Sequence, residues 1–105
     1  MSKLVNYAQE MLGEHDKFQG SYRGSLGNTF GHLVLSTTKL VFLREGSTSG
    51  AEFELKFEIP YSDLNYEILG RNELKLSDGG GNDYTLSTAM MAKFIELKLK
   101  EFYPK

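Results

Sequence analysis

The spacing of apolar residues changes twice along this chain. Near the start, Leu4, Tyr7, Ala8, Met11 and Leu12 fall on one helical stripe. Ser2 can cap that helix and Gly13 can end it, so a helix is expected over residues 1–13. A helix this short is marginal alone in water, and its stripe needs a surface to dock on. From Lys17 the period becomes two. KFQGSYR sets Phe18, Gly20 and Tyr22 against Gln19, Ser21 and Arg23. FELKFEI sets Phe53, Leu55, Phe57 and Ile59 inside and Glu54, Lys56 and Glu58 outside, until Pro60 ends the ladder. DLNYEIL, ELKLS and NDYTLS supply further strands, giving about seven short strands over residues 17–87, a sandwich or small barrel pattern. The helical period returns in TAMMAKFIELKLKEFY. Met90, Met91, Phe94, Ile95, Leu97, Leu99 and Phe102 form a broad core-facing arc over residues 88–102, with Ser87 or Thr88 as cap and Pro104 beyond the end.

One stretch breaks the strand pattern. GHLVLSTTKLVFLR folds as a hairpin about Ser-Thr-Thr-Lys, with Leu35 opposite Leu40 and Leu33 opposite Phe42 on one face. The other face pairs Val34 with Val41 and His32 with Leu43, so it is mostly apolar too. Small antiparallel sheets usually leave one face to water. Val34, Val41 and Leu43 would each contribute about 1.5–3 kcal/mol if covered. Left bare they form a docking face, and two covers suggest themselves: the N-terminal stripe, or another molecule.

Helix, seven strands and closing helix resemble the pleckstrin-homology (PH)-like superfold. "GHLVLSTTKLVFL" followed by "FEIPYSDLNYEI" is similar to the GRAM and bacterial PH pattern, and "MLGEHDKF" resembles the lead-in of bacterial PH proteins. "LVLSTTKLVF" equally resembles the GLUE variant, a ubiquitin- and lipid-binding module. Thr37-Thr38 departs from GRAM, which often carries Asn in that turn. The resemblance implies an α+β, mainly β fold: two near-orthogonal sheets forming a partly open barrel of about seven antiparallel strands, capped by the C-terminal helix, with an extra N-terminal helix.

Composition narrows the function. At 105 residues the chain is expected to be one domain. It has no cysteine, hence no disulfide framework or thiolate chemistry. No apolar run approaches the ~20 residues of a membrane span, and no secretory signal opens the sequence. A net charge of −2 and pI of about 5.7 argue against nucleic-acid binding. A cytoplasmic location is expected, with membrane-peripheral contact as the alternative.

SDGGGND is the most tempting phosphate cradle. It lacks the Gly-Lys-Ser/Thr and following helix of a P-loop, and Ala89 stands where a calcium loop starting at Asp78 needs Glu. As a three-glycine hairpin loop it pairs Leu76 with Tyr84 and Leu74 with Leu86. Glu14, His15 and Asp16 read as a solvated linker rather than metal ligands. No nucleophile elbow or base–nucleophile pair is present, so no enzyme, metal or cofactor is expected.

Headgroup-binding PH domains carry a basic cluster at the barrel mouth. Here GSLGNTF, EGSTSGAE and SDGGGND would form the mouth, with Arg23, His32 and Arg44 as the candidate anion contacts against Glu45, Glu52, Asp78 and Asp83. Few cations among carboxylates hold a phosphate poorly. The expected function is therefore a non-enzymatic module for protein–protein interaction or assembly. Its partner is a protein, ubiquitin-like if the GLUE resemblance holds, or a second copy of the chain. Weak phospholipid-headgroup binding is the alternative.

Overall fold

The computed structural model describes residues 3–46 and 52–103. Ser2, Pro104 and most of the EGSTSGAE connection lie outside the described residues. The elements are α1 (Lys3–Leu12), β1 (Phe18–Leu26), β2 (Thr29–Ser36), β3 (Lys39–Glu45), β4 (Phe53–Pro60), a short 3₁₀ turn (Tyr61–Asp63), β5 (Asn65–Gly70), β6 (Glu73–Ser77), β7 (Asp83–Thr88) and α2 (Ala92–Leu99).

The strands form one antiparallel sheet ordered β4-β3-β2-β1-β7-β6-β5. The two halves implied by the resemblance, β1–β4 and β5–β7, are joined through β1. That strand pairs with β2 along its length and with β7 only from Gly24 to Leu26. Gly24 lies opposite Gly31 at this corner. A Cβ on Gly31 would collide with the Leu43 carbonyl, and one on Gly24 would stand 2.7 Å from the Ser87 carbonyl oxygen. Only glycine lets the backbones approach this closely.

The sheet curls until distant strands meet. Phe57 of β4 stacks between Phe42 (5.8 Å) and Tyr84 of β7 (4.1 Å). Leu33, Leu35, Leu40, Ile59, Leu74, Leu76 and Leu86 complete this core, and Ala92, Ile95 and Leu99 of α2 plug it. The hairpin has the expected register, with Leu35 opposite Leu40, Leu33 opposite Phe42, Val34 opposite Val41 and His32 opposite Leu43.

Two β-bulges correct the simple alternation. Phe18 faces Ser36 while Gly20 faces Leu35, which leaves Gln19 as the extra residue. Phe18 therefore packs on the outer cluster with Val34, not inside with Tyr22. In β4, Phe57 faces Phe42 but Leu55 faces Leu43, so Lys56 is extra. Phe53 and Leu55 are thereby turned to the outer face rather than the core. Both bulges widen the apolar surface outside β2 and β3.

The closing helix is shorter than the expected 88–102. Thr88 still belongs to β7, and neither Ser87 nor Thr88 caps α2; Met91 precedes it without a side-chain cap. The Asn72 side-chain amide donates to the Thr88 and Ala89 carbonyls, and the Ala92 N–H donates to the Arg71 carbonyl. These bonds hold residues 88–91 along the β5–β6 turn, where a helix cannot form.

Candidate functional site

Three regions carry the chemistry read from the sequence, and a fourth emerges from the structure. On the outer face, Val34, Val41 and Leu43 are fully buried beneath Ala8, with Leu4, Tyr7, Met11 and Phe18 around them. The expected docking face is thus occupied by the chain's own helix. The Tyr7 ring meets Phe53 at 5.4 Å, which uses the aromatic delivered by the second bulge. Gly13 ends α1 in the left-handed region, at φ 86°. Gln9 then fixes the exit: its amide donates to the Gly13 and Asp16 carbonyls, and its side-chain carbonyl accepts from the Phe18 N–H.

Asp16 is no solvated linker residue. It is buried, and its carboxylate accepts from the Ser36 and Thr38 hydroxyls and from the Lys17 and Thr38 N–H groups at 2.8–3.2 Å. Burial pushes its pKa up, but the hydroxyls of Thr38 and Ser36 and the two N–H groups outweigh that, and the net shift is downward. The Ser36–Thr38 turn takes its anchor from Asp16, which explains how it manages without an Asn of its own. Tyr61 joins the same clasp by donating to the Ser36 carbonyl at 2.7 Å. Its phenol is pushed upward, first by burial and then by the Asp16 charge.

At the mouth, the three candidate anion contacts do not converge. Arg23 and His32 are opposed across β1 and β2 and so share the outer side, whereas Arg44 is opposed to Gly31 on the inner side. His32 Nε2 lies 2.6 Å from the Glu45 carboxylate, and Arg44 lies 3.5 Å from Glu54. Arg23 forms no ion pair among the described residues. It borders a cavity of about 260 Å³ with Ser25, Phe30, Ser87 and the Glu45 carboxylate.

The glycine loop is filled from within. Asp78 Oδ1 accepts the Gly80 and Asn82 N–H groups, and Oδ2 accepts the Asn82 side-chain amide. The Asn82 backbone and side-chain bonds, then Gly80, hold the Asp78 carboxyl below its ordinary value. The Gly80 and Asn82 N–H groups, which could help cradle a phosphate, already serve this carboxylate. Leu76 pairs with Tyr84 and Leu74 with Leu86 as expected, and Gly81 supplies the positive φ, at 90°.

The fourth region lies between α2 and β5. Tyr66 ties them together by donating to Glu96 Oε2 at 2.7 Å; burial, that hydrogen bond and the Glu96 charge push its phenol up to about 12. Beyond this tie, apolar residues remain outside. Met90 is 46% exposed, Phe94 43% and Leu97 63%, with Ile68 and Leu69 of β5 also exposed. The expected arc therefore splits: Ile95 and Leu99 go to the core, while Phe94 and Leu97 face out. Two signals for this stood in the sequence. Seven apolar positions exceed what one side of a short helix can bury, and adjacent Ile68-Leu69 cannot both point inward from a regular strand.

Among the described residues, no group of three or more histidine, cysteine or carboxylate side chains could hold a metal ion. No described helix is long and apolar enough to cross a membrane.

No protein-family model matches the chain, and no curated protein matches it. Among solved structures it is similar to a pleckstrin homology domain from Shewanella amazonensis SB2B, with 18% identity and a TM-score of 0.67. The likeness covers 99% of this chain and 98% of that one. Seven antiparallel strands curled about a common core and closed by a C-terminal helix, matched end to end, give this chain the pleckstrin-homology-like fold.

Proposed function

We propose that the chain works as one non-enzymatic binding unit whose ligand is a protein, recognised on the exposed side of α2 and the neighbouring β5. The observation that carries this reading is the apolar surface of Met90, Phe94, Leu97, Ile68 and Leu69, left outside a core that is otherwise filled. Contiguous exposed apolar surface on a small domain marks an interaction site. The fold is also one that serves proteins and lipids as a binding module.

The headgroup alternative draws less support from the geometry. His32 and Arg44 have carboxylate partners, and the Gly80 and Asn82 N–H groups of the loop serve Asp78. Weak contact with acidic membranes from the cytoplasmic side then rests mainly on Arg23. A ubiquitin-like partner, implied by the GLUE resemblance, is one candidate for the α2 surface.

The test is a selection of binders from a displayed library of folded domains, followed by titration of the isotope-labelled chain with each binder and with ubiquitin. Binding should shift resonances of Leu97, Phe94 and Ile68, weaken at least tenfold in Leu97→Asp, and survive Arg23→Ala. Binders indifferent to Leu97→Asp would overturn the reading, as would sub-micromolar phosphoinositide binding that needs Arg23 and Arg44.

A further inference from the structure

We infer that the cavity bordered by Arg23 and Glu45 binds a small zwitterion, a free amino acid. The cavity encloses about 260 Å³ on the outer side of the sheet, and no described residue of α1 lines it.

Strand pairing builds it. Ser25 of β1 stands opposite Phe30 of β2 and opposite Ser87 of β7, so three neighbouring strands present them side by side. Their neighbours Leu26 and Leu86 go to the core, which leaves this set outside. One alternation back along β1, Arg23 stands opposite His32, and His32 opposite Leu43 of β3. Glu45 follows Leu43 by one alternation and shares its side.

Two features separate this cavity from other charged surface. Its lining carries one charge of each sign, and the two are not spent on each other. β2 lies between the strands that carry them, and His32 Nε2, 2.6 Å from Glu45 Oε1, takes the carboxylate instead. Glu45 Oε2 and the Arg23 guanidinium have no hydrogen-bond or ion-pair partner among the described residues. The wider groove beside α1 also has both signs, in Glu10, Glu14 and Lys17. There, however, Glu14 and Lys17 sit on the linker, outside any helix or strand. Arg23 and Glu45 are held by paired strands, and Glu45 is fixed further by His32. The second feature is Phe30. It is 71% exposed, more than any other large hydrophobic side chain described. An aromatic face in water beside a carboxylate is a seat for an ammonium group.

The chemistry of the ligand follows from the two signs. A polyanion on Arg23 would share the cavity with the Glu45 charge, and a simple amine would share it with Arg23. Each is repelled by one wall. A zwitterion satisfies both. Its ammonium goes to Glu45 and the Phe30 ring, its anionic end to Arg23, and the Ser25 and Ser87 hydroxyls can bond either end. The fork of a single guanidinium matches a carboxylate through two parallel bonds, whereas a phosphate group carries charge for more than one cation. The volume falls just below the roughly 300–1,000 Å³ of pockets for drug-sized ligands. That admits one amino acid and excludes a longer peptide.

The inference does not depend on the protein-binding reading, whose surface lies on α2 and β5. The test titrates the isotope-labelled whole chain with each of the common free amino acids at millimolar concentration. At least one should shift the resonances of Arg23, Ser25, Phe30 and Ser87 and leave those of Phe94 and Leu97 in place. Its amide and its N-acetyl derivative each lack one charge and should bind at least tenfold more weakly. Arg23→Gln and Glu45→Gln should each weaken the free amino acid at least tenfold, with thermal melts confirming that both variants are folded. N-acetylation should then cost little more in Glu45→Gln, and amidation little more in Arg23→Gln, which pairs each ligand charge with its residue. No shift at these residues, blocked derivatives that bind as well as the parent, or affinity indifferent to both variants would overturn the inference. Inositol trisphosphate and phosphoethanolamine run in parallel. Binding of either at this cavity without amino-acid binding would also overturn it and give the cavity to a phosphate.

Discussion

The two helices of this chain use their apolar residues in opposite ways. α1 lies at the periphery, on the outside of the sheet, yet Leu4, Tyr7, Ala8, Met11 and Leu12 are all buried or half-buried. α2 plugs the core, yet Phe94 and Leu97 face solvent. A peripheral helix with its stripe fully used is acting as a cover. A central helix with apolar residues to spare fills the core and still leaves apolar surface outside, and our proposed function rests on that surplus. Position relative to the core does not separate the two helices in this respect; the balance between apolar supply and buried demand does.

The sharpest way to break this contrast is to charge the seat of α1. Val41→Lys would place an ammonium group at a fully buried position beneath Ala8. A loss of about 3 kcal/mol or more is expected in a urea titration. Removing residues 1–13 instead should expose Val34, Val41 and Leu43 and drive self-association visible by light scattering. A truncated chain that stays monomeric would mean that α1 is dispensable as a cover.

The clasp behind α1 comes next. Asp16→Ala strips four donors of their acceptor and should cost about 2–3 kcal/mol, because buried donors left unpaired are expensive. The intact protein carries a pH signature of the same contact. The folded pKa of Asp16 lies below its ordinary value, so its contribution is complete above that value and disappears as pH falls through the lowered one. Stability curves of wild type and Asp16→Asn should run parallel from pH 7 to 5 and converge under acid. If the gap persists unchanged at pH 2, the Asp16 charge is not what the clasp uses.

The smallest effect is expected on α2. Leu97→Ser should change stability by no more than about 0.5 kcal/mol, since the side chain is mostly in water. Set beside Val41→Lys, that near-neutral result would confirm the asymmetry; a loss above about 1.5 kcal/mol would show Leu97 to be structural.

Much of the fold was legible, and the exceptions share a cause. The hairpin register could be read because both of its faces are apolar and only one alignment pairs them. The bulges could not: FELKFEI alternates without fault, and nothing local says that Lys56 is skipped. Its extra residue makes sense only once Tyr7, far away in sequence, offers Phe53 a partner. Asp16 hid in the same way, because Ser36 and Thr38 lie 20 and 22 residues beyond it. The start of α2 was misplaced because Asn72 and Arg71 decide it from another turn. At the mouth, sequence proximity gathered Arg23, His32 and Arg44, whereas strand alternation sends Arg44 to the opposite side from the other two. Local period reads what a residue prefers; bulges, clasps and convergence depend on what arrives later.

The sharing of β1 also constrains the order in which the molecule can be made. β1 to β4 form a meander of neighbours that can pair as soon as each strand leaves the ribosome. The corner cannot, because Gly24 must wait for Thr88. Until then the core side of β1 has no second half to close against, and the hairpin's inner leucines stay accessible to other chains. Closing so long a loop is slow by the standards of small proteins, and open strand edges in the interval invite mispairing. α1 precedes the hairpin in the chain and covers its outer face in the fold, so that one of two greasy faces has its cover to hand while the other waits for its lid.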